Sequence, residues 1–144
     1  METLITYDSA KGDAGKVAKA ICSGIKQMGF TDVNCKAADK VTAADLQRAD
    51  VWIMGSPSGF LAGRRIIKVI GGAPRDSNVK GFAFDTRLPG ANIGPSEKIA
   101  MAMSAKGVDV MGKTYFSLGP GNALIEGEEE LAVAYGRNLV NRFR

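Results

Sequence analysis

The sequence contains no histidine. Histidine supplies the base in Ser-His-Asp and Cys-His sites and is the commonest protein ligand of zinc. Its absence therefore excludes those two catalytic classes and the usual zinc ligand sets. Chemistry, if the protein performs any, must come from a bound cofactor.

Cysteines and long apolar runs are also scarce. The two cysteines, Cys22 and Cys35, form no metal or redox motif. We expect both to be reduced and structural, with a disulfide between them as the alternative. No stretch approaches about 18 consecutive apolar residues, so we expect no membrane span. The N-terminus lacks the cationic and apolar regions of a signal peptide, and the sequence predicts a cytoplasmic protein.

The basic residues are not concentrated in any one segment. Nineteen basic and 15 acidic residues give a formal net charge of +4. The cations are dispersed, and no Lys/Arg-rich run carries interleaved aromatic residues, so we expect no nucleic-acid partner. The length of 144 residues fits a single domain, which we assign to residues 1–144.

Apolar segments recur about every 30 residues, the length of a strand followed by a helix. Strands are predicted at 2–7, 32–37, 50–54 and 79–85, and a fifth in two pieces at 108–110 and 113–118. Helices are predicted at 13–28, 42–49, 61–70, 96–106 and 127–143. This alternation predicts an α/β fold in which helices cover both faces of a five-stranded parallel sheet.

Helical spacing also predicts which side chains enter the core. The first helix is expected to bury Val17, Ile21, Ile25 and Met28, and the last helix Leu131, Tyr135, Leu139 and Phe143. Trp52, Tyr7 and the methionines at 54, 101 and 103 are also expected in the core.

Three loops leave the carboxyl ends of the predicted strands, where parallel α/β sheets bind their ligands. The first loop spans residues 8–15 and combines glycines and small residues with the N-terminus of a helix. Converging backbone N–H groups and the helix dipole there suit a phosphate. The alternative is a plain connection in which Asp13 caps the helix.

The other two loops each have two interpretations. In the loop at 55–61, Phe60 lies either against a flat aromatic ligand or against the core beneath the next helix. The loop at 85–94 is long and polar, which is typical of a loop that lines a site. Within it, Arg87 either contacts a ligand or pairs with Asp85 or another acidic residue.

Four segments in the expected order resemble the flavodoxin family over essentially the whole chain. YDS-x-x-G at 7–12 resembles the FMN phosphate loop, and GSPS at 55–58 is similar to the isoalloxazine loop. AFDTRLPG at 83–90 and GPGNALIEGEEELA at 119–132 resemble a subgroup of small flavodoxin-like domains. The resemblance implies a flavodoxin-like three-layer sandwich that binds FMN at its strand ends. The implied cofactor-binding residues are Ser9, Ala10, Lys11, Gly12, Asp13, Ala14, Pro57, Ser58, Gly59, Phe60, Asp85, Thr86, Arg87 and Gly90.

The first loop departs from the family pattern. The family typically has Gly-Asn-Thr where this chain has Gly12-Asp13-Ala14. Ala14 removes a hydroxyl that would donate to the phosphate, and Asp13 places a carboxylate beside it unless Lys11 or Lys16 offsets the charge.

Two functions are therefore expected from the resemblance. The first is an FMN-binding electron carrier, with the cations Arg64, Arg65 and Lys68 favouring an acidic redox partner. A flavin reductase with a nicotinamide or quinone substrate is related, but no second binding motif supports it. The alternative is a flavodoxin-fold protein that has lost FMN and serves as an interaction or regulatory domain.

Overall fold

The computed structural model describes residues 1–8, 13–59, 61–74 and 78–143. Its five strands form one sheet in which every neighbouring pair is parallel. They are β1 (Thr3–Tyr7), β2 (Val33–Ala37), β3 (Val51–Pro57), β4 (Lys80–Arg87) and β5 (Asp109–Ser117). The strand order is β2-β1-β3-β4-β5. The predicted fold class is confirmed, and the polar β2 lies at one edge of the sheet.

Five helices cover the sheet in two layers. They are α1 (Ala14–Gln27), α2 (Ala43–Arg48), α3 (Arg64–Gly71), α4 (Pro95–Ala105) and α5 (Glu128–Leu139). Helices α1 and α5 pack on one face of the sheet, and α2, α3 and α4 pack on the other. No helix in the described ranges is long and apolar enough to cross a membrane.

Local residues fix the ends of several helices. Gly29 has a φ of 89° and ends α1, a conformation that glycine adopts without steric cost. Thr42 and Asp45 form a reciprocal capping box at the start of α2. Pro95 occupies the first turn of α4, where its missing N–H costs nothing.

The two central strands run further than predicted. β3 reaches Pro57 and β4 reaches Arg87, because the two strands keep pairing as far as Pro57 and Thr86. The residues at 85–87 therefore lie in a strand, and the third loop begins at Leu88. β5 is one continuous strand and not the two predicted pieces. A register shift at Met111 lets its pairing with β4 continue on both sides of that residue.

The core face predicted for α5 is partly wrong. Leu131 is 59% exposed, whereas Ala132, Gly136 and Leu139 are buried. The reason is close contact with α1: a Cβ added at Gly136 would lie 2.2 Å from the carbonyl oxygen of Ile21. Only small residues fit between the two helices, so α5 turns Leu131 towards solvent.

Two of the methionines predicted to be buried are also exposed. Met28 follows the last residue of α1 and is 40% exposed, and Met101 lies on the outer side of α4 at 72%. Met28 was predicted from helical spacing, but the helix ends at Gln27, one residue before it. Met101 was predicted only as an apolar side chain that would fill the core. Met54, Met103 and Trp52 are buried as expected, and Tyr7 is half-buried.

Candidate functional site

The strand order places the candidate site at the carboxyl edge of the sheet. From β1 the chain crosses to β2 on one side, and β3 lies on the other side. A crevice outside the strand ends is expected where the order reverses in this way. The connections after β1, β3 and β4 all leave the sheet at this edge.

Ser56 holds the connection after β3 in place. Its hydroxyl, fully buried, accepts a hydrogen bond from the Gly63 N–H and donates one to the Pro57 carbonyl oxygen, both at 2.9 Å. The Ser58 N–H donates to the Thr86 carbonyl oxygen at 3.0 Å. Ser58 and Gly59 are thereby presented to solvent at the strand edge, whereas Phe60 lies outside the described residues.

A buried ion pair closes the end of β4. The Arg87 guanidinium donates to both carboxylate oxygens of Asp85, at 2.8 and 2.7 Å, and the Ser96 N–H donates to the same carboxylate at 3.0 Å. These bonds raise the pKa of Arg87. The pairing of Arg87 with Asp85 considered from the sequence is confirmed. The guanidinium also lies over the ring of Tyr115, 4.2 Å from its centroid.

An apolar cleft separates the β3–α3 connection from the loop that follows β4. Its volume is about 340 Å³. Leu88 and Ile93 line one side, Pro57 and Ser58 the other, and Leu118 lies at the end of β5. Arg87 borders it, but its charge is balanced by Asp85. We call this space the apolar cleft.

Thr86 carries an unsatisfied hydroxyl at the same edge. The residue is fully buried, and its Oγ1 has no hydrogen-bond partner among the described residues. Thr6, fully buried in β1, carries a second such hydroxyl, and neither residue lines the apolar cleft. Gly90, with a φ of 87°, forms the exposed turn beyond the strand.

The first predicted loop is described only at its end. Ser9, Ala10, Lys11 and Gly12 lie outside the described residues. Asp13 occupies the N-cap position of α1 without a capping hydrogen bond from its side chain. Its carboxylate instead accepts the Leu124 N–H at 2.8 Å and ties α1 to the segment before α5. Ala14 is fully buried, so its side chain does not face an open ligand position.

A second cleft lies on the other side of the β3–α3 connection. It has a volume of about 820 Å³ and runs between Asp8 at the end of β1 and the first turns of α3. Arg64, Arg65 and Lys68 line its α3 wall. We call this space the cationic cleft. The sequence analysis expected these cations to favour an acidic redox partner, but no sequence pattern indicated that they border a cavity.

The two cysteines lie away from the carboxyl edge of the sheet. Cys22 and Cys35 are free thiols that line a separate cleft between α1 and β2. Burial raises the pKa of the Cys35 thiol to about 11, so it remains protonated at neutral pH. In the part of the chain that the structure describes, no group of three or more Cys, Asp or Glu side chains could hold a metal.

Sequence reasoning missed the apolar walls of the site. Leu88 and Ile93 stand in a segment that it treated as a polar loop, and they are 51% and 75% exposed. Large apolar side chains in a loop at a strand end are the signal that could have identified them.

No family model and no curated protein matches this sequence. Its structure is similar to that of a flavodoxin from the domain Archaea, at 19% identity and a TM-score of 0.75 over 99% of this chain and 98% of that one. The flavodoxin of Streptococcus pneumoniae TIGR4 is similar at 12% identity and a TM-score of 0.79 over 99% of both chains. Flavodoxin 2 of Bacillus cereus is similar at 16% identity and a TM-score of 0.76, over 99% of this chain and 100% of that one. The chain therefore has the flavodoxin-like fold.

Proposed function

We propose that the protein binds FMN with the isoalloxazine ring in the apolar cleft and acts as an electron carrier. The observation that carries the proposal is the cleft itself, an apolar slot between two strand-end connections in a chain whose fold matches that of flavodoxins. A flat aromatic ring gains most from such a slot, since both of its faces leave water.

The residues at the ring end fit the group. Leu88, Ile93 and Leu118 offer apolar contact, and backbone groups of Ser58 and Gly59 lie at the opposite wall. FMN, when bound, supplies one- and two-electron redox chemistry that the side chains here lack.

The phosphate end would be held by the first loop and the N-terminus of α1. The sequence raised the objection that Asp13 would repel the phosphate. In the structure the Asp13 carboxylate accepts the Leu124 N–H and is thereby held towards the segment before α5, although its negative charge remains. The missing hydroxyl at Ala14 matters less for phosphate binding, because the Ala14 side chain is fully buried and does not face an open ligand position.

The chain's own residues would position the ring and not react with it. Asp85 and Arg87 join the end of β4 to the start of α4 through Ser96, which fixes both ends of the loop carrying Leu88 and Ile93. Asp85 balances the charge of Arg87, and the Glu97 carboxylate lies 3.8 Å from the same guanidinium, so no uncompensated positive charge borders the cleft at this point.

An acidic redox partner is part of the proposal. The formal net charge is +4, and the exposed cations of α3 lie beside the site. Arg65 and Lys68 also border a groove of about 480 Å³ between α2 and α3, with Val41, Leu46 and Val69 on its floor. Such a surface favours a partner that carries carboxylates around an apolar side chain, and it would speed their encounter at low salt.

The test is a fluorescence titration of FMN with the purified protein. We expect saturable quenching at a 1:1 ratio and a yellow complex. Ile93→Asp, which puts a carboxylate into the cleft wall, is expected to weaken binding at least tenfold. Met101→Asp is the matched control, because Met101 is similarly exposed, at 72% against 75%, but does not line the cleft.

Absence of quenching by the wild-type protein would reject FMN binding and favour the interaction or regulatory domain. Equal weakening by Ile93→Asp and Met101→Asp would reject the apolar cleft as the ring position, because it would mean that net charge alone governs affinity.

A further inference from the structure

We infer that the cationic cleft is a second ligand site, which binds the phosphoryl groups of a nucleotide-sized anion. It shares Pro57, Ser58 and Gly59 with the apolar cleft but opens on the opposite side of the β3–α3 connection. The inference does not depend on FMN binding, because none of the three cations Arg64, Arg65 and Lys68 lines the apolar cleft.

The charges in this cleft are poorly compensated. Within the described ranges, neither Arg64 nor Lys68 has a carboxylate oxygen within 4.0 Å. Arg65 lies 3.8 Å from the Asp8 carboxylate, which is an ion-pair distance but too long for a hydrogen bond. Among the described residues that line the cleft, three cations and one carboxylate give a formal net charge of about +2.

The position of these cations in α3 is itself unfavourable. Arg64 and Arg65 occupy the first turn, which contains no acidic residue, and the helix dipole makes this end positive. Arg64 and Lys68 stand four residues apart on the same side of the helix, where like charges repel. In α5 the order is the favourable one, with Glu128, Glu129 and Glu130 in the first turn and Arg137 in the last. A bound anion would relieve the repulsion in α3.

The size of the cleft sets the class of ligand. Its volume of about 820 Å³ is far more than a lone phosphate needs and lies in the range of small-molecule sites. Ser58 and the start of α3 add polar groups along one wall, and Leu61 and Ala62 add apolar surface. A phosphorylated ligand with an organic body, such as a nucleoside diphosphate, matches this combination. A concave space lined by cations favours such a small molecule as the ligand, because a protein partner would present a flatter surface.

Arg64 is the residue that distinguishes the cationic cleft from the proposed protein-docking groove between α2 and α3. Arg65 and Lys68 border both spaces, whereas Arg64 lines the cationic cleft and not the groove between α2 and α3. Loss of the Arg64 charge should therefore affect a ligand in the cleft most directly.

The experiment is isothermal titration calorimetry with inorganic pyrophosphate and with ADP, repeated at two salt concentrations. We expect 1:1 binding of both anions, with ADP tighter because its nucleoside adds contact. Arg64→Gln should weaken ADP at least tenfold, and Arg64→Gln/Lys68→Gln at least a hundredfold, since each lost charged bond is worth about a decade or more. Lys19→Gln/Lys26→Gln is the matched control, because it removes the same charge beside the separate cleft of α1 and β2.

Four results would overturn the inference. The first is no binding of either anion at millimolar concentration, and the second is equal weakening by the control variant. The third is that Arg64→Gln/Lys68→Gln abolishes FMN binding as well, which would make the cleft a part of the flavin site. Binding of a poly-glutamate peptide without binding of ADP would also reject the nucleotide and assign the cations to protein docking. Failure of FMN to bind would leave the pyrophosphate and ADP results readable, because those probes need no flavin.

Discussion

Both faces of the sheet pack apolar side chains, but within the described ranges one of them also buries charged groups. On the α1–α5 face, fit is decided by shape: apolar side chains such as Ile21, Phe82 and Phe143 pack together, and the two helices touch at glycines. On the α2–α4 face the buried charged residues of the described chain are found, namely Asp8, Asp45, Asp85 and Arg87. One face therefore tolerates little change in volume, and the other tolerates little change in charge.

The largest expected effect is on the first face. Gly136→Ala would place a Cβ 2.2 Å from the Ile21 carbonyl oxygen, and backbone atoms on both helices must then move apart. We expect a loss of about 4 kcal/mol in the free energy of unfolding, above the usual range of overpacking because no side chain can yield. Urea denaturation measures it.

Gly71→Ala is the matched control for that change. Gly71 ends α3 with no atom within 4 Å of an added Cβ and no positive φ. There the gain in helix propensity acts alone, and we expect stability to rise by up to about 0.5–1 kcal/mol. Equal losses for both glycines would mean that helix contact does not explain the effect.

A slightly smaller effect is expected on the second face. Arg87→Met removes the partner of a fully buried carboxylate and should cost about 3 kcal/mol. Replacing both partners, as Asp85→Leu/Arg87→Met, should recover most of that loss, because no unpaired charge remains. Chemical denaturation of the three proteins measures both quantities. If the double variant is no more stable than Arg87→Met, the buried charge is not what makes the single change costly.

Local sequence patterns predicted the alternation of strands and helices, since this depends on neighbouring residues. They did not predict that Leu131 faces solvent, because that follows from how α5 meets the backbone of α1. They placed Pro57 and Asp85 at the correct edge of the sheet but in loops, because the extra pairing of β3 with β4 is a contact distant in sequence. The cationic cleft could not be predicted for the same reason, because it depends on Asp8 lying opposite Arg65, which is distant in sequence.

Asp45 gives the second face a dependence on pH. Hydrogen bonds from the Thr42 N–H and from Lys36 lower the pKa of this carboxyl from 3.8 to about 2. The ionised form therefore stabilises the fold above about pH 4, and that contribution is lost as the pH falls towards 2. Asp45→Asn is expected to cost about 1–2 kcal/mol at pH 7 and almost nothing near pH 2. Denaturant midpoints across this range measure the difference, and a constant difference would contradict the role of the ionised carboxyl.

The smallest effect has the opposite sign and separates stability from binding. Arg64→Glu puts an acid in the first turn of α3 and removes the repulsion with Lys68, so we expect a gain of about 0.5 kcal/mol. Glu129→Arg reverses the favourable arrangement in the first turn of α5 and should lose a similar amount. Thermal melts at low and high salt measure both, and salt should shrink both effects because they are electrostatic. A loss of stability in Arg64→Glu would mean that the cation is already compensated in the free protein. A gain together with lost ADP binding would show that α3 keeps an unfavourable charge for the sake of a ligand.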